Sequence, residues 1–210
     1  MKKLLLTMVA AAAASLAFAQ TKTTFGIKAG VNFASLQASS SGSSVTATSG
    51  SVTMFTAGAY ADAPLGNNGL SLQPGLYYTG KGGNSNDGQS TGKLKFSYLQ
   101  IPVNLVYSVP LSAGKFYFGG GPYAAYALSA KAEDKVNGQN VSVDLTLGSD
   151  NNSDIKRTDF GITVLIGFQF TNKLSLGVNS DFGLTSVLPG SNNGYSLKNR
   201  VYCITAGYSF

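Results

Sequence analysis

The chain has 210 residues, of which 11% are charged, with a formal charge of +6, one cysteine and no histidine. An average soluble domain carries about 25% charged residues, yet a mean hydropathy of only +0.08 is far too low for a bundle of membrane helices. The lone Cys203 excludes an intramolecular disulfide, and the missing histidine removes Ser-His, Asp-His and His-metal chemistry. No Lys/Arg run is longer than Lys156-Arg157, so a nucleic-acid partner is not expected. The 26 glycines, 11 tyrosines and 12 phenylalanines suit strands and turns.

The first nineteen residues read as a leader. Lys2-Lys3, the apolar run Leu4 to Leu16 and the closing Ala17-Phe18-Ala19 follow the pattern of a secretory signal peptide. Cleavage after Ala19 is expected to leave residues 20–210 as one domain, and no cysteine stands there to be lipidated.

Beyond the leader the pattern has a period of two, which is that of a strand. The first strand places Phe25, Ile27, Ala29, Val31 and Phe33 on one face and Lys28 and Asn32 on the other. The second carries Phe55, Ala57, Ala59, Ala61 and Ala63 outward, with Tyr60 and Asp62 opposite. The third alternates through Leu70, Leu72, Leu76 and Tyr78, the fourth from Leu99 to Val109. In the fifth, Phe116, Phe118, Tyr126 and Leu128 compete with Tyr117 and Tyr123, and the even positions are read as outward. The sixth runs Phe160, Ile162, Val164, Ile166, Phe168, Phe170, and the seventh Leu174, Leu176, Val178, Phe182, Leu184. The last strand ends the chain with Tyr202, Ile204, Ala206, Tyr208 and Phe210 on one face.

The connectors sort by length. Residues 37–51, 80–93, 130–154 and 188–198 form long polar segments, and 65–69, 110–114 and 171–173 form short turns between them. Long and short alternate, as they must when one end of a membrane barrel turns tightly and the other carries external loops. About 9–11 tilted residues span the bilayer, which each strand supplies. The expected fold is all-β: an eight-stranded antiparallel up-and-down transmembrane β-barrel in the cell outer membrane.

Eight strands leave an interior that side chains fill. Its polar network is expected to include Lys28, Asp62, Asp159 and Asp181, alongside Tyr60, Gln73, Gln100, Asn104 and Asn179. Lys28 and Asp62, on neighbouring strands, are expected to pair, since buried charges need partners.

Several segments resemble the PorT-like outer-membrane β-barrel family. They are Lys93-Leu94-Lys95-Phe96-Ser97-Tyr98-Leu99-Gln100-Ile101-Pro102-Val103, Gly120-Gly121-Pro122-Tyr123, the opening Gly26 to Asn32, and the ending Asn199 to Phe210. In shape the chain is similar to the OmpX and OmpA barrels. The aromatic-ended last strand resembles the insertion signal of such barrels, carried by Tyr202, Ile204, Tyr208 and Phe210, and implies contact with the insertion machinery. The resemblance allows an accessory role in a protein secretion system.

Candidate chemistry is sparse. Cys203 has no neighbouring base, and Asp159 with Asp181 lacks supporting groups for acid–base work. Gly88 to Leu94 misses the phosphate-loop pattern, being one residue short with Leu94 in place of Ser/Thr. Asp150 to Asp154 begins like a calcium loop but lacks its glycine and distal glutamate. No catalytic residue, cofactor or metal is expected. The expected role is that of a monomeric structural or surface-interaction barrel, set in outer-membrane lipid, whose external loops meet a protein or surface ligand. A small-solute channel and a secretion accessory are the alternatives.

Overall fold

Pleated backbone takes up most of the chain, and its alternation sets one face against the other. The computed structural model describes residues 23–40, 46–86, 91–136, 139–148, 153–189 and 194–210. The strands in chain order are β1 (Thr24–Ser40), β2 (Thr46–Thr48), β3 (Val52–Pro64), β4 (Leu70–Asn86), β5 (Thr91–Leu111) and β6 (Gly114–Val136). They continue as β7 (Gln139–Asp144), β8 (Leu147–Gly148), β9 (Ile155–Lys156), β10 (Thr158–Phe170), β11 (Leu174–Gly183) and β12 (Tyr195–Ser209).

Eight long strands, β1, β3, β4, β5, β6, β10, β11 and β12, pair antiparallel in sequence order. The last strand returns to the first, with Gly26 opposite Ser209 and Ser40 opposite Tyr195. The wall is therefore a closed ring, and closure removes the unpaired strand edges that an open sheet leaves. The fold is an eight-stranded antiparallel barrel.

Ring closure turns the period of two into an inside and an outside. On β10, Phe160, Ile162, Val164 and Ile166 are each more than 40% exposed, while Asp159, Thr163 and Leu165 are buried. The same alternation places Phe25, Ile27, Val31 and Phe33 outward on β1, and Tyr202, Ile204, Tyr208 and Phe210 outward at the end of the chain. On β6, Phe118, Tyr126 and Leu128 face out and Tyr117 and Tyr123 face in. A register shift on that strand, opposite Ser97 and Tyr98, then reverses the parity, so Lys131 is exposed and Ala130 buried. Near the tight turns, outward aromatics meet in pairs: Tyr107 with Phe118 and Phe168 with Phe170 across 5.7 and 5.1 Å, and Tyr208 with Phe210 across 5.5 Å.

The structure departs from the sequence reading at the long connectors. Residues 80–86 and 91–93, expected in a loop, extend β4 and β5 as a ladder from Gly80 opposite Ser97 to Asn86 opposite Thr91. Likewise β6 runs on to Val136 and folds back as β7, β1 runs on to Ser40, and β12 begins at Tyr195. In these extensions glycines and polar residues replace the apolar–polar alternation that marks a strand, Lys81 among them and buried, while the backbone ladder persists. Ala63, expected on the lipid face, is buried opposite Leu72. The leader, Gly88 to Ser90 and Asp150 to Asn152 lie outside the described residues.

Candidate functional site: the filled lumen and its mouth

The lumen fills from two layers of polar groups and an apolar cap. Near the tight turns, Lys28 of β1 lies over the rings of Tyr60 and Tyr117, 5.2 and 5.8 Å from their centroids. The Tyr60 hydroxyl shares a 2.8 Å hydrogen bond with Ser209 Oγ, which also accepts from Gln169 Nε2 at 2.8 Å. Glycines make room for these rings. A Cβ on Gly26 would collide with Tyr60, and one on Gly167 or Gly177 with the Tyr117 hydroxyl.

The expected Lys28–Asp62 pair does not form. Asp62 Oδ2 is instead 3.6 Å from Lys115 Nζ of β6, and among the described residues Lys28 has aromatic faces in place of a carboxylate within 4 Å. Adjacency of strands fixes backbone distance only. Lys115 reaches Asp62 across the lumen, a relationship that pairing of neighbours does not reveal.

The second layer centres on Lys81, which the sequence reading assigned to a loop. Its ammonium lies 3.1 Å from Asp159 Oδ2 and 4.0 Å from Asp181 Oδ2, and the Lys81 and Asp159 side chains have no exposed surface. The ammonium also sits 3.9 Å from the centroid of the Tyr123 ring and 5.4 Å from that of Tyr98. Asp159 accepts from Tyr123 Oη at 3.2 Å, Asn199 Nδ2 at 3.0 Å and Thr185 Oγ1 at 3.3 Å. Asp181 accepts from Gln100 Nε2 and Thr163 Oγ1, each at 2.8 Å. Two carboxylates expected in the lumen, Asp159 and Asp181, thus meet on one cation. Low dielectric makes such a cluster stiff when fully bonded and costly when broken.

Above it the mouth is apolar. Leu36, Phe96, Tyr98, Tyr123, Ile155 and Val187 form one buried cluster, against which Leu145, Leu147 and Leu197 pack. The covering segments are pinned by backbone bonds: Lys156 N–H donates to the Val187 carbonyl and Val187 N–H to the Leu197 carbonyl, at 2.8 and 2.7 Å. Asp154, the last residue of the calcium-like stretch, accepts from Thr146 N–H at 2.9 Å and so caps this turn. Among the described residues no group of three His, Cys, Asp or Glu side chains is arranged to hold a metal ion.

Between the layers lies a cavity of about 40 Å³, lined by Lys28, Asn104, Asn179, Asp181 and Cys203 among others. A water needs roughly 10–15 Å³ measured this way, so the space holds on the order of three waters. Cys203 is buried, its Sγ 3.7 Å from the Ile204 carbonyl.

A family model described as outer membrane protein beta-barrel domain matches residues 18–188. No curated protein matches the chain. Among solved structures, the chain is similar to Ail, the attachment invasion locus protein of Yersinia pestis, at 15% identity and a TM-score of 0.45, with 90% of this chain and 100% of that one covered. It is also similar to Neisserial surface protein A, at 16% identity and a TM-score of 0.46, again over 90% of this chain and 100% of the other. The N-terminal β-barrel domain of Pseudomonas aeruginosa OprF is similar at 9% identity and a TM-score of 0.32, over the same shares.

Proposed function

We propose that this chain, which belongs to the outer membrane protein β-barrel domain family and resides in the cell outer membrane, is a closed barrel that works through its external end. The carrying observation is the sealed axis: the Lys81–Asp159 contact without exposed surface, beneath an apolar cap. A lumen filled in this way among the described residues argues against a path for solutes, and it leaves the long hairpins as the surface for recognition. There β6 and β7 rise beyond the ring and expose Val141 and Val143, with Tyr195 exposed at the start of β12. Loops on a rigid scaffold are where recognition usually sits.

Asp159 and Asp181 both contact Lys81, Asp62 lies against Lys115, and Cys203 is buried. The leader is removed after Ala19, so the mature N-terminus is Gln20. Tyr202, Ile204, Tyr208 and Phe210 form an outward row at the end of the chain, suited to capture by the insertion machinery. The PorT-like resemblance keeps an accessory role in secretion as the finer alternative.

Planar-bilayer recording of the purified barrel tests the reading. No steady conductance is expected; stable open levels would replace it with a channel. Recovery of secretion components with the tagged protein from native membranes would favour the accessory role, and recovery of a surface ligand lost on trimming residues 137–144 would favour external recognition.

A further inference from the structure

Three outward cations lie at the loop end of the barrel. On β12 the outward row runs Lys198, Arg200, Tyr202, Ile204, Ala206, Tyr208, while Asn199 and Val201 between them are buried. The row therefore passes from lipid-facing side chains through a tyrosine directly to two cations. Arg200 lies over the outward ring of Phe182 on β11, 5.1 Å from its centroid. Arg157, at the start of β10, lies 6.0 Å from the centroid of the outward Tyr126, with Nη1 donating to its hydroxyl at 3.5 Å and Nε to the Leu147 carbonyl at 3.1 Å.

Among the described residues none of these three cations has a carboxylate within 4.0 Å, unlike Lys95 and Lys131, which pair with Glu133 at 2.6 Å and Asp144 at 3.5 Å. At the other end the outward rows finish on Phe118, Phe170, Tyr208 and Phe210, and Lys115 turns to Asp62. Lys173 stands beyond them in the tight turn.

An arginine laid on an aromatic ring at the rim of the apolar band keeps its stem on greasy surface and its donors at headgroup depth. Guanidinium binds phosphate through paired hydrogen bonds, and cations at this depth are drawn to anionic headgroups. Lys198 and Arg200 stand two strands away from Arg157, and the register from Arg200 through Phe182 to Ile162 sets Arg157 further along β10. The backbones are thus spread over roughly 14–19 Å of sheet, a span that long side chains narrow to suit a headgroup with more than one phosphate. A soluble partner would have to enter the headgroup layer to reach the same groups.

We propose that Lys198, Arg200 and Arg157 form a binding site for the phosphates of a phosphorylated lipid headgroup in the outer leaflet. The test reads the temperature at which the folded band is lost on an unheated-versus-heated gel. The full barrel is reconstituted in phosphatidylcholine vesicles doped with lipid A bearing two phosphates, with its dephosphorylated form, or with phosphatidylglycerol. The phosphorylated lipid is expected to raise that temperature by several degrees over both others. The rise should vanish in Lys198→Gln/Arg200→Gln and persist in Lys93→Gln. High salt, which screens exposed charge, should shrink the wild-type rise, giving a readout that does not depend on the variant folding. An equal rise with phosphatidylglycerol, with the dephosphorylated lipid, or with inorganic phosphate added to plain vesicles would overturn the site, as would full retention in the double variant.

Discussion

The ammonium of Lys81 and the carboxylate of Asp159 meet at 3.1 Å in a place where neither has any exposed surface. They come from β4 and β10, strands that are not neighbours in the ring, so the contact spans the lumen. Breaking a buried pair by removing one partner typically costs about 3–5 kcal/mol. Lys81→Met should lower the unfolding free energy in lipid vesicles by that amount, because Asp159 and Asp181 then share no cation. Lys81→Met combined with Asp159→Asn should recover a large part of the loss. A single variant as stable as the parent would show the cluster to be energetically idle.

Lys28 is the contrasting case. It is buried over two tyrosine rings and, among the described residues, has no carboxylate within 4 Å. Removing a desolvated, unpaired charge is neutral or favourable, so Lys28→Met should leave the heat-shift temperature unchanged or raise it. A clear fall would restore an ion pair for Lys28.

The glycine sockets make a packing prediction. The three nearest atoms to a Cβ at Gly26 all belong to Tyr60. Overpacking costs typically about 1–3 kcal/mol. Gly26→Ala should therefore destabilise the barrel in urea unfolding, and Tyr60→Leu in the same chain should relieve most of it. Purely additive effects would mean that the ring does not depend on the glycine.

The lipid face is tested by depth. Ile204 lies outward in the middle of the last strand, whereas Val143 stands on β7 beyond the ring. An arginine at the bilayer midplane of a barrel costs ~2–4 kcal/mol. Ile204→Arg should show that cost in vesicle refolding, and Val143→Arg should stay within about 0.5 kcal/mol, as exposed surface changes do. Equal effects at the two positions would displace the apolar band from where the exposed residues put it.

The sequence by itself determined the wall of this protein. A side chain on a strand has two directions, so the alternation from Phe160 to Phe170 or from Tyr202 to Phe210 fixes which residues meet lipid without knowledge of any contact. Alternating connector lengths then fix an up-and-down ring. Where glycines and polar residues occupy both faces that signal fails, which is why β4 up to Asn86 and β6 up to Val136 read as loops and Lys81 as part of one. Only the tertiary structure decided what fills the ring. Ring closure brings strands distant in sequence face to face across the lumen, so Lys81 meets Asp159, Lys115 meets Asp62, and Lys28 rests on tyrosines. Partners across a closed barrel depend on stagger and side-chain length, and neither is written in the period of two.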